Sequence, residues 1–212
     1  MRQIKRLLTS VTWVGLLAFL LTGSNLLAAE LPNSDQLATE AEQIHKAIAG
    51  LPDYDLFDWV SFDIQGSTVI LNGFASRPML KKEVQRVVAK VPGVDTVMNN
   101  IRQLPLSTFD DQLRTQLYFR IYGNSALSRY NPNWGTPLFD SAARRISGLT
   151  NDPPPGPHPI HIIVDNGRVI LKGVVATEGD RVLVGVEAKT TPGVFSVDNQ
   201  LVAVRGAGMK ME

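Results

Sequence analysis

Two stretches of the chain decide the fold, Val69–Gly73 (VILNG) and Val169–Gly173 (VILKG), which lie one hundred residues apart. The same offset relates Pro92–Asn99 (PGVDTVMN) to Pro192–Asn199 (PGVFSVDN). Ten of the 33 positions from 69 to 101 are identical to their partners from 169 to 201, with no gap. A repeat at a constant offset predicts two copies of one folding unit. The residues that define this unit are Gly73, Gly173, Pro92, Gly93, Pro192, Gly193, Asn99 and Asn199.

The first copy predicts a helix, two strands, a second helix and a third strand. Apolar residues recur at helical spacing over Leu37–Ile48, and either Ser34 or Asp35 can cap this helix. Apolar and polar residues then alternate over Val60–Ile64, which is typical of a half-buried strand. We expect Ser76 to cap the second helix, with a proline in its first turn, where a missing N–H costs nothing.

The second copy repeats this plan with clearer turn and cap signals. Thr108-x-x-Asp111 predicts a capping box ahead of its first helix, and Thr177-x-x-Asp180 predicts another ahead of its second helix. Asn166-Gly167 predicts the two-residue turn of a hairpin. The apolar residues of the second helix include Val182, Leu183 and Val186.

Residues 1–29 show the order of charge, apolar run and small residues that a secretory signal peptide needs. Arg2, Lys5 and Arg6 precede the apolar run Val11–Leu21, and Ala28-Ala29 offers a cleavage site; an uncleaved N-terminal anchor is the alternative. Cleavage would remove three cations and no acid, which changes the formal charge from +1 to −2. General attraction to nucleic acid is therefore not encoded, and we expect a periplasmic protein, held at the inner membrane if the signal stays uncleaved.

The two copies differ most between their first helix and their first strand. Gly50 and Gly73 are 23 positions apart, whereas Gly123 and Gly173 are 50 positions apart. The predicted domains are therefore 34–105 and 108–205, the second with an insert at about 125–157, followed by a tail at 206–212. An insert of this length is either a short helical element or a functional loop.

The order of these motifs resembles the BON domain: a Gly-x-Val-x-Leu-x-Gly hairpin, a helix, and Pro-Gly-Val-x-x-Val-x-Asn leading into a strand. The full motif stands at Gly167–Gly173 with Pro192–Asn199, and the first copy has Ser67 at the turn glycine. The resemblance covers nearly all of the chain after residue 35. It implies an α+β fold of two tandem αββαβ modules, each a small mixed sheet with its helices packed on one face. It also implies an exported bacterial protein that binds phospholipid or another envelope component, in envelope maintenance or osmotic stress.

No catalytic or metal-binding constellation can be read from the sequence. The chain has no cysteine, which excludes thiol catalysis and lipid attachment at a lipobox. His158 and His161 are three apart in a predicted strand, so their side chains should point to opposite faces. The acidic cluster from Asp53 to Asp63 is interrupted by apolar residues, unlike a calcium loop. We therefore predict no cofactor, no metal and no enzymatic activity.

Aromatic and basic residues are the candidates for a binding surface. Tyr and Trp together with Arg can seat a segment at a lipid headgroup layer or anchor a protein interface. Alternatively, these rings fill the ends of two small cores. The candidates are Tyr54, Phe57 and Trp59 before the first strand, and Tyr130, Trp134, Phe139, Arg129, Arg144 and Arg145 in the insert.

Three functional hypotheses follow. The leading one is a non-enzymatic envelope protein that docks on membrane phospholipid or another envelope component. The second is a protein–protein interaction module, either chaperone-like or self-associating, that uses exposed sheet edges or the aromatic insert. A hydrolase is the third, and it lacks a visible nucleophile, base or metal set.

Overall fold

The computed structural model describes residues 34–132 and 158–204. The predicted signal peptide or anchor, the C-terminal tail, and four insert candidates lie outside the described residues; these four are Trp134, Phe139, Arg144 and Arg145. Within the described ranges, no helix is long and apolar enough to cross a bilayer.

The first module contains a helix, a hairpin, a second helix and a third strand. These elements are α1 (Ser34–Ala49), β1 (Trp59–Gln65), β2 (Thr68–Ala75), α2 (Leu80–Val88) and β3 (Thr96–Gln103). The second module repeats the order, with a short 3-10 helix after its first α-helix. Its elements are α3 (Thr108–Tyr122), the 3-10 helix (Ser125–Tyr130), β4 (Ile160–Asp165), β5 (Arg168–Val175), α4 (Glu178–Lys189), β6 (Ser196–Asn199) and β7 (Val202–Ala203).

Both modules have the same mixed sheet. Strand β2 is central, antiparallel to β1 and parallel to β3. Strand β5 is central in the same way, between β4 and the pair β6 and β7. The register also repeats, since Val69 faces Val97 and Val169 faces Val197. The prediction of an α+β fold with two tandem αββαβ modules is confirmed.

The repeated glycines stand where the hairpin backbones approach most closely. Gly73 and Gly173 have positive φ angles of 132° and 121°. A Cβ atom at Gly73 would overlap the carbonyl oxygen of Trp59, and one at Gly173 would overlap that of Pro159. Only glycine avoids both the backbone strain and the overlap, so the repeat preserves it.

The repeated asparagines join the last strand of each module to its second helix. The Asn99 side-chain amide donates to the Lys81 carbonyl at 2.8 Å, and its oxygen accepts from the Ile101 N–H at 3.1 Å. Asn199 makes the same pair of bonds, to the carbonyl of Arg181 at 2.8 Å and the N–H of Leu201 at 3.2 Å. One side chain therefore fixes the distance between a helix and a strand.

Two predicted helix starts are wrong, and each has a local reason. Helix α2 begins at Leu80 with no side-chain cap, and Ser76 lies four residues earlier, where its N–H donates to the buried Asp58 carboxylate at 2.6 Å. Helix α3 is capped by Ser107 rather than Thr108, since the Ser107 hydroxyl accepts from the Asp110 N–H at 3.2 Å. Thr177 does cap α4 as predicted, accepting from the Asp180 N–H at 3.0 Å.

Each module has its own apolar core between its sheet and its helices. The core of the first module includes Ile44, Ile48, Val69, Leu71, Leu80, Val84 and Val88. The core of the second includes Leu113, Leu117, Ile121, Ile160, Ile162, Val169, Leu171 and Val184. Two apolar residues of α4 lie outside this core, since Val182 and Val186 are about half exposed. Val184 and Ala188 make the buried face of that helix instead.

Candidate functional site

The segment just before β1 belongs to the core of the other module. Leu56 and Phe57 are buried among the core residues of the second module, although they belong to the first module in sequence. The Leu56 carbonyl accepts from the Ile162 N–H at 2.7 Å, so this segment also covers the open edge of β4. The predicted site residue Phe57 is therefore part of a contact between the two modules, which we call the module interface.

His161 of β4 lies between two other candidate residues of the first module. Its ring centroid is 5.9 Å from that of Tyr54 and 5.1 Å from that of Trp59. Its Nδ1 lies 2.6 Å from the carbonyl oxygen of Asp58, which can only accept, so Nδ1 must carry the proton. Burial lowers the pKa of His161, and the same surroundings raise the pKa of Tyr54 to about 12.

The helix-free faces of the two sheets contact each other. Lys172 of β5 lies over the Trp59 ring, with its Nζ 5.5 Å from the ring centroid, and Arg102 of β3 pairs with Asp165 of β4 at 2.8 Å. Ile163 points away from the core of its own module, as its neighbours His161 and Asp165 do, yet it is fully buried. Strand β4 therefore runs across the first sheet, from β1 to β3.

The candidates of the insert that the structure describes are used inside the second module. Tyr130 is buried, and its hydroxyl donates to the Asp180 carboxylate and accepts from the Ala176 N–H, both at 2.7 Å. Arg129 lies 3.6 Å from the same carboxylate. The structure thus places Tyr54 and Trp59 beside His161 and Phe57 in the core of the second module. Tyr130 and Arg129 form a separate cluster at the start of α4.

Sequence reasoning missed a pair of exposed aromatic residues at the hairpin end of the second module. Phe109 and Phe195 are 44% and 77% exposed, and their rings stack at a centroid distance of 6.4 Å. We call this pair the aromatic tip. The difference between the copies is the signal that could have found it, because Phe195 occupies the position that Asp95 has in the first copy.

The aromatic tip rests on a rigid turn. Asn166 and Gly167 adopt positive φ angles of 52° and 76°, as the predicted two-residue hairpin turn requires. The buried Asp110 carboxylate accepts from the backbone N–H groups of both turn residues, at 2.8 and 2.9 Å. Because Asp110 follows Phe109 in α3, these bonds hold the helix start against the turn and fix the position of the tip.

The acidic residues before β1 have structural partners. Arg77 pairs with Asp53 at 2.7 Å and with Asp55 at 3.3 Å. Asp58 is fully buried, and burial raises the pKa of its carboxyl group, although that group accepts two backbone N–H bonds. Across residues 34–132 and 158–204, no three His, Cys, Asp or Glu side chains are grouped so that they could hold a metal ion.

Comparison with known proteins gives one family and a weak structural likeness. The family model described as "BON domain" matches residues 58–105 and 143–205, more than half of the chain. A comparison with curated proteins found no match. A solved structure of the C-terminal domain of CdsD, the structural protein of the type III secretion system of Chlamydia trachomatis, is 14% identical, with 77% of this chain and 96% of that chain covered and a TM-score of 0.24. A second structure of CdsD is 15% identical, with 77% and 91% covered and a TM-score of 0.25.

Proposed function

Since this chain belongs to the BON domain family and carries two copies of the domain, we propose that it is a non-enzymatic envelope protein whose second module docks on a phospholipid surface. The observation that carries the proposal is the aromatic tip, Phe109 and Phe195. Two stacked rings exposed at the end of a module are costly in water and can be buried in the headgroup region of a bilayer.

Charge supports insertion of apolar groups over electrostatic adsorption. The processed chain would have a formal charge of −2, so it offers no general attraction to anionic lipid. Arg168, at the first position of β5, is the exposed cation nearest in sequence to the hairpin turn. We therefore expect binding to zwitterionic and anionic vesicles alike, and binding that persists when the salt concentration is raised.

Co-sedimentation with vesicles tests the proposal. The double variant Phe109→Ser with Phe195→Ser should bind about tenfold more weakly or worse, because burial of one such ring contributes roughly 1.5–3 kcal/mol. The control is Val182→Ser with Val186→Ser, which removes two apolar side chains of α4 that are each about half exposed and lie away from the aromatic tip in sequence. Equal binding by both variants, or no binding by the unaltered protein to either vesicle, would remove the proposal.

The insert candidates outside the described residues remain part of this proposal. Trp134, Arg144 and Arg145 combine an aromatic ring with cations, which suits a lipid headgroup layer. Substitution of all three by alanine in the same co-sedimentation assay decides whether they contribute. Binding equal to that of the unaltered protein would leave the aromatic tip as the sole proposed contact.

We propose export to the periplasm on the strength of residues 1–29. The expected result is a mature chain that begins at Glu30, measured by mass spectrometry of protein from the envelope fraction. A full-length chain in the membrane fraction would support the anchor instead, and a full-length chain in the cytoplasm would contradict export.

A protein–protein module is a second candidate, and one feature favours it. Val174 of β5 and Val202 of β7 face each other in register and are 51% and 62% exposed, on the helix-free face of the second sheet. Because β7 is an outer strand of this sheet, a further chain could pair with it and cover these two exposed valines. Light scattering after chromatography tests self-association, and Val202→Lys should abolish any dimer that uses this edge.

A further inference from the structure

The outward face of the second helix is cationic in the first module and apolar in the second. Helices α2 and α4 bury equivalent positions, one hundred residues apart, so their outward positions are equivalent as well. At two of these outward positions, Lys82 corresponds to Val182 and Arg86 corresponds to Val186. All four side chains are exposed. The fold accepts valine at these positions, so it does not require a cation at either of them.

Three exposed cations follow one another along this face of the first module. They are Lys82, Arg86 and Lys90, and we call them the basic stripe. Residues four apart are neighbours on a helix surface, and the helical turn extends to Lys90, whose N–H donates to the Val87 carbonyl at 3.2 Å. Successive members of the stripe are therefore about 6 Å apart along the helix axis. Among the residues that the structure describes, none of the three side chains has an ion pair or a hydrogen-bond partner.

The basic stripe concentrates positive charge in a chain that is slightly acidic after residue 29. Residues 80–90 contain four basic residues and one acidic residue, a formal charge of +3, whereas residues 180–190 contain two of each. The Debye length is about 8 Å at physiological ionic strength, so a ligand at the stripe interacts mainly with these local cations rather than with acids elsewhere on the chain. Local attraction of an anion is therefore compatible with the absence of a general attraction.

The shape of the basic stripe favours a thin, linear partner. Acidic side chains lie next to it, because Glu83 follows Lys82 in α2 and Glu42 lies on α1, which packs against α2. A flat anionic surface would meet these acids together with the cations, whereas a linear polyanion can follow the cations alone. Helix α2 has no exposed apolar residue, and the exposed Met79 just before it is too small to form the apolar centre of a protein interface.

We propose that the basic stripe binds a linear polyanion that carries phosphate groups. Phosphate suits these side chains, because the Arg86 guanidinium can donate two parallel hydrogen bonds to one group and a lysine ammonium acts as a point charge on the next. Negative groups that repeat at about 6 Å along an extended polymer match the rise between successive cations. This binding is additional to lipid docking, since it uses the first module and neither Phe109 nor Phe195.

Fluorescence anisotropy of end-labelled inorganic polyphosphate, titrated with the full chain, tests the proposal. Binding by the unaltered protein should weaken as salt is added. The logarithm of the affinity plotted against the logarithm of the salt concentration should have a slope of about −2, because each neutralised phosphate of a flexible polymer contributes roughly 0.7. The double variant Lys82→Gln with Arg86→Gln should bind at least about tenfold more weakly, and its slope should be about −0.7.

Two further variants separate the stripe from net charge and from the identity of its side chains. Arg181→Gln with Lys189→Gln removes the same charge from the equivalent helix α4 and should leave binding to polyphosphate unchanged. Lys82→Arg with Arg86→Lys keeps the line of cations and should retain the affinity to within about threefold. An unchanged urea midpoint of unfolding in every variant shows that both modules stay folded.

Three results would overturn the proposal. The first is no binding of polyphosphate by the unaltered protein at low salt. The second is equal weakening by the α2 and α4 variants, because net charge alone would then account for binding. The third is an α2 variant that loses binding to anionic vesicles and keeps binding to polyphosphate, because the partner would then be a lipid surface. The variant Phe109→Ser with Phe195→Ser should bind polyphosphate as the unaltered protein does, so a failure of lipid docking is distinguishable from all three.

Discussion

At the scale of single residues, the repeat is maintained by positions that admit only one side chain. Gly73 and Gly173 carry no side chain because the neighbouring strand leaves no room for one and φ is positive. Asn99 and Asn199 carry both a donor and an acceptor because the helix presents a carbonyl and the strand an N–H. The repeat alone identified both the glycines and the asparagines. The glycines are required by the hairpin of one module, and the asparagines by the contact between one helix and one strand.

Two glycines of the same hairpin test whether the close approach of the backbone makes glycine necessary at position 73. Gly73→Ala should lower the free energy of unfolding by roughly 2–4 kcal/mol, because its Cβ would overlap a backbone oxygen that cannot move without breaking the hairpin. Gly66→Ala should cost only about 1 kcal/mol, because φ is +60° there and nothing lies within 4 Å. Urea unfolding measures both. Equal losses would mean that the positive φ angle, rather than the close approach, sets the cost.

His161 makes the stability of the module interface depend on pH. Its folded pKa lies below its ordinary value of 6.5 because burial disfavours the cation, and this effect outweighs the hydrogen bonds to the backbone of Asp58 and Asp55, which favour it. Between the two pKa values the unfolded chain binds more protons, so the free energy of unfolding should fall as the pH is lowered through about 6.5, by at most about 1.4 kcal/mol per pH unit. Asp58 has the opposite effect on stability, because burial raises its folded pKa from 3.8. Its contribution to the free energy of unfolding should therefore fall as the pH rises above about 3.8.

Urea unfolding between pH 5 and pH 7.5 measures this effect, with His161→Gln as the comparison because its side chain does not titrate. The slope of stability against pH should be smaller in His161→Gln than in the unaltered protein. An unchanged slope would show that the sensitivity arises elsewhere.

At the scale of secondary-structure elements, the strands and turns followed from the sequence more closely than the helix starts did. Strand alternation and an Asn-Gly turn are set by neighbours in the chain, and both were found where predicted, the alternation in β1 and the turn at Asn166-Gly167. The cap of α3 lies one residue earlier than the Thr108-x-x-Asp111 pattern indicated, because Ser107 is an equally good cap. In α4, Val182 and Val186 are apolar but exposed, so apolar residues alone do not identify the buried face of this helix.

The position of this cap can be measured directly. Ser107→Ala should lower the free energy of unfolding by about 1 kcal/mol, because the Asp110 N–H loses its acceptor at the start of α3. Thr108→Ala should change it by less than about 0.5 kcal/mol, as is usual for an exposed residue without such a contact. Urea unfolding of the two variants decides between the caps, and a larger loss for Thr108→Ala would restore the original prediction.

At the scale of the whole molecule, the two modules share core residues and are not independent units. Leu56 and Phe57 lie in a stretch that reads as a loop, and no periodicity links them to residues a hundred positions away. The aromatic tip was missed for a related reason, since Phe109 and Phe195 come together only after folding. Sequence patterns therefore predicted each module well, and predicted neither the contact between them nor the exposed aromatic surface.

A substitution in one module should consequently weaken the other. Phe57→Ala should cost roughly 3–5 kcal/mol, because it leaves a cavity in the core of the second module. Hydrogen exchange should be accelerated more at Leu171 than at Leu71, although residue 57 belongs to the first module in sequence. The control Phe195→Ala removes the same ring from an exposed position and should change stability by less than about 0.5 kcal/mol. Faster exchange at Leu71 alone would contradict the shared core.

The shared segment also has a consequence for the order in which the chain acquires its structure. Asp58 and its contact His161 are 103 positions apart, so the first copy leaves the ribosome or a translocation channel long before its counterpart. During that interval Leu56 and Phe57 are not yet buried by the second module, so the emerging chain is prone to aggregate. The joining of the two halves is a late step that closes a long loop. Any shortened product that ends before β4 would retain this uncovered segment permanently.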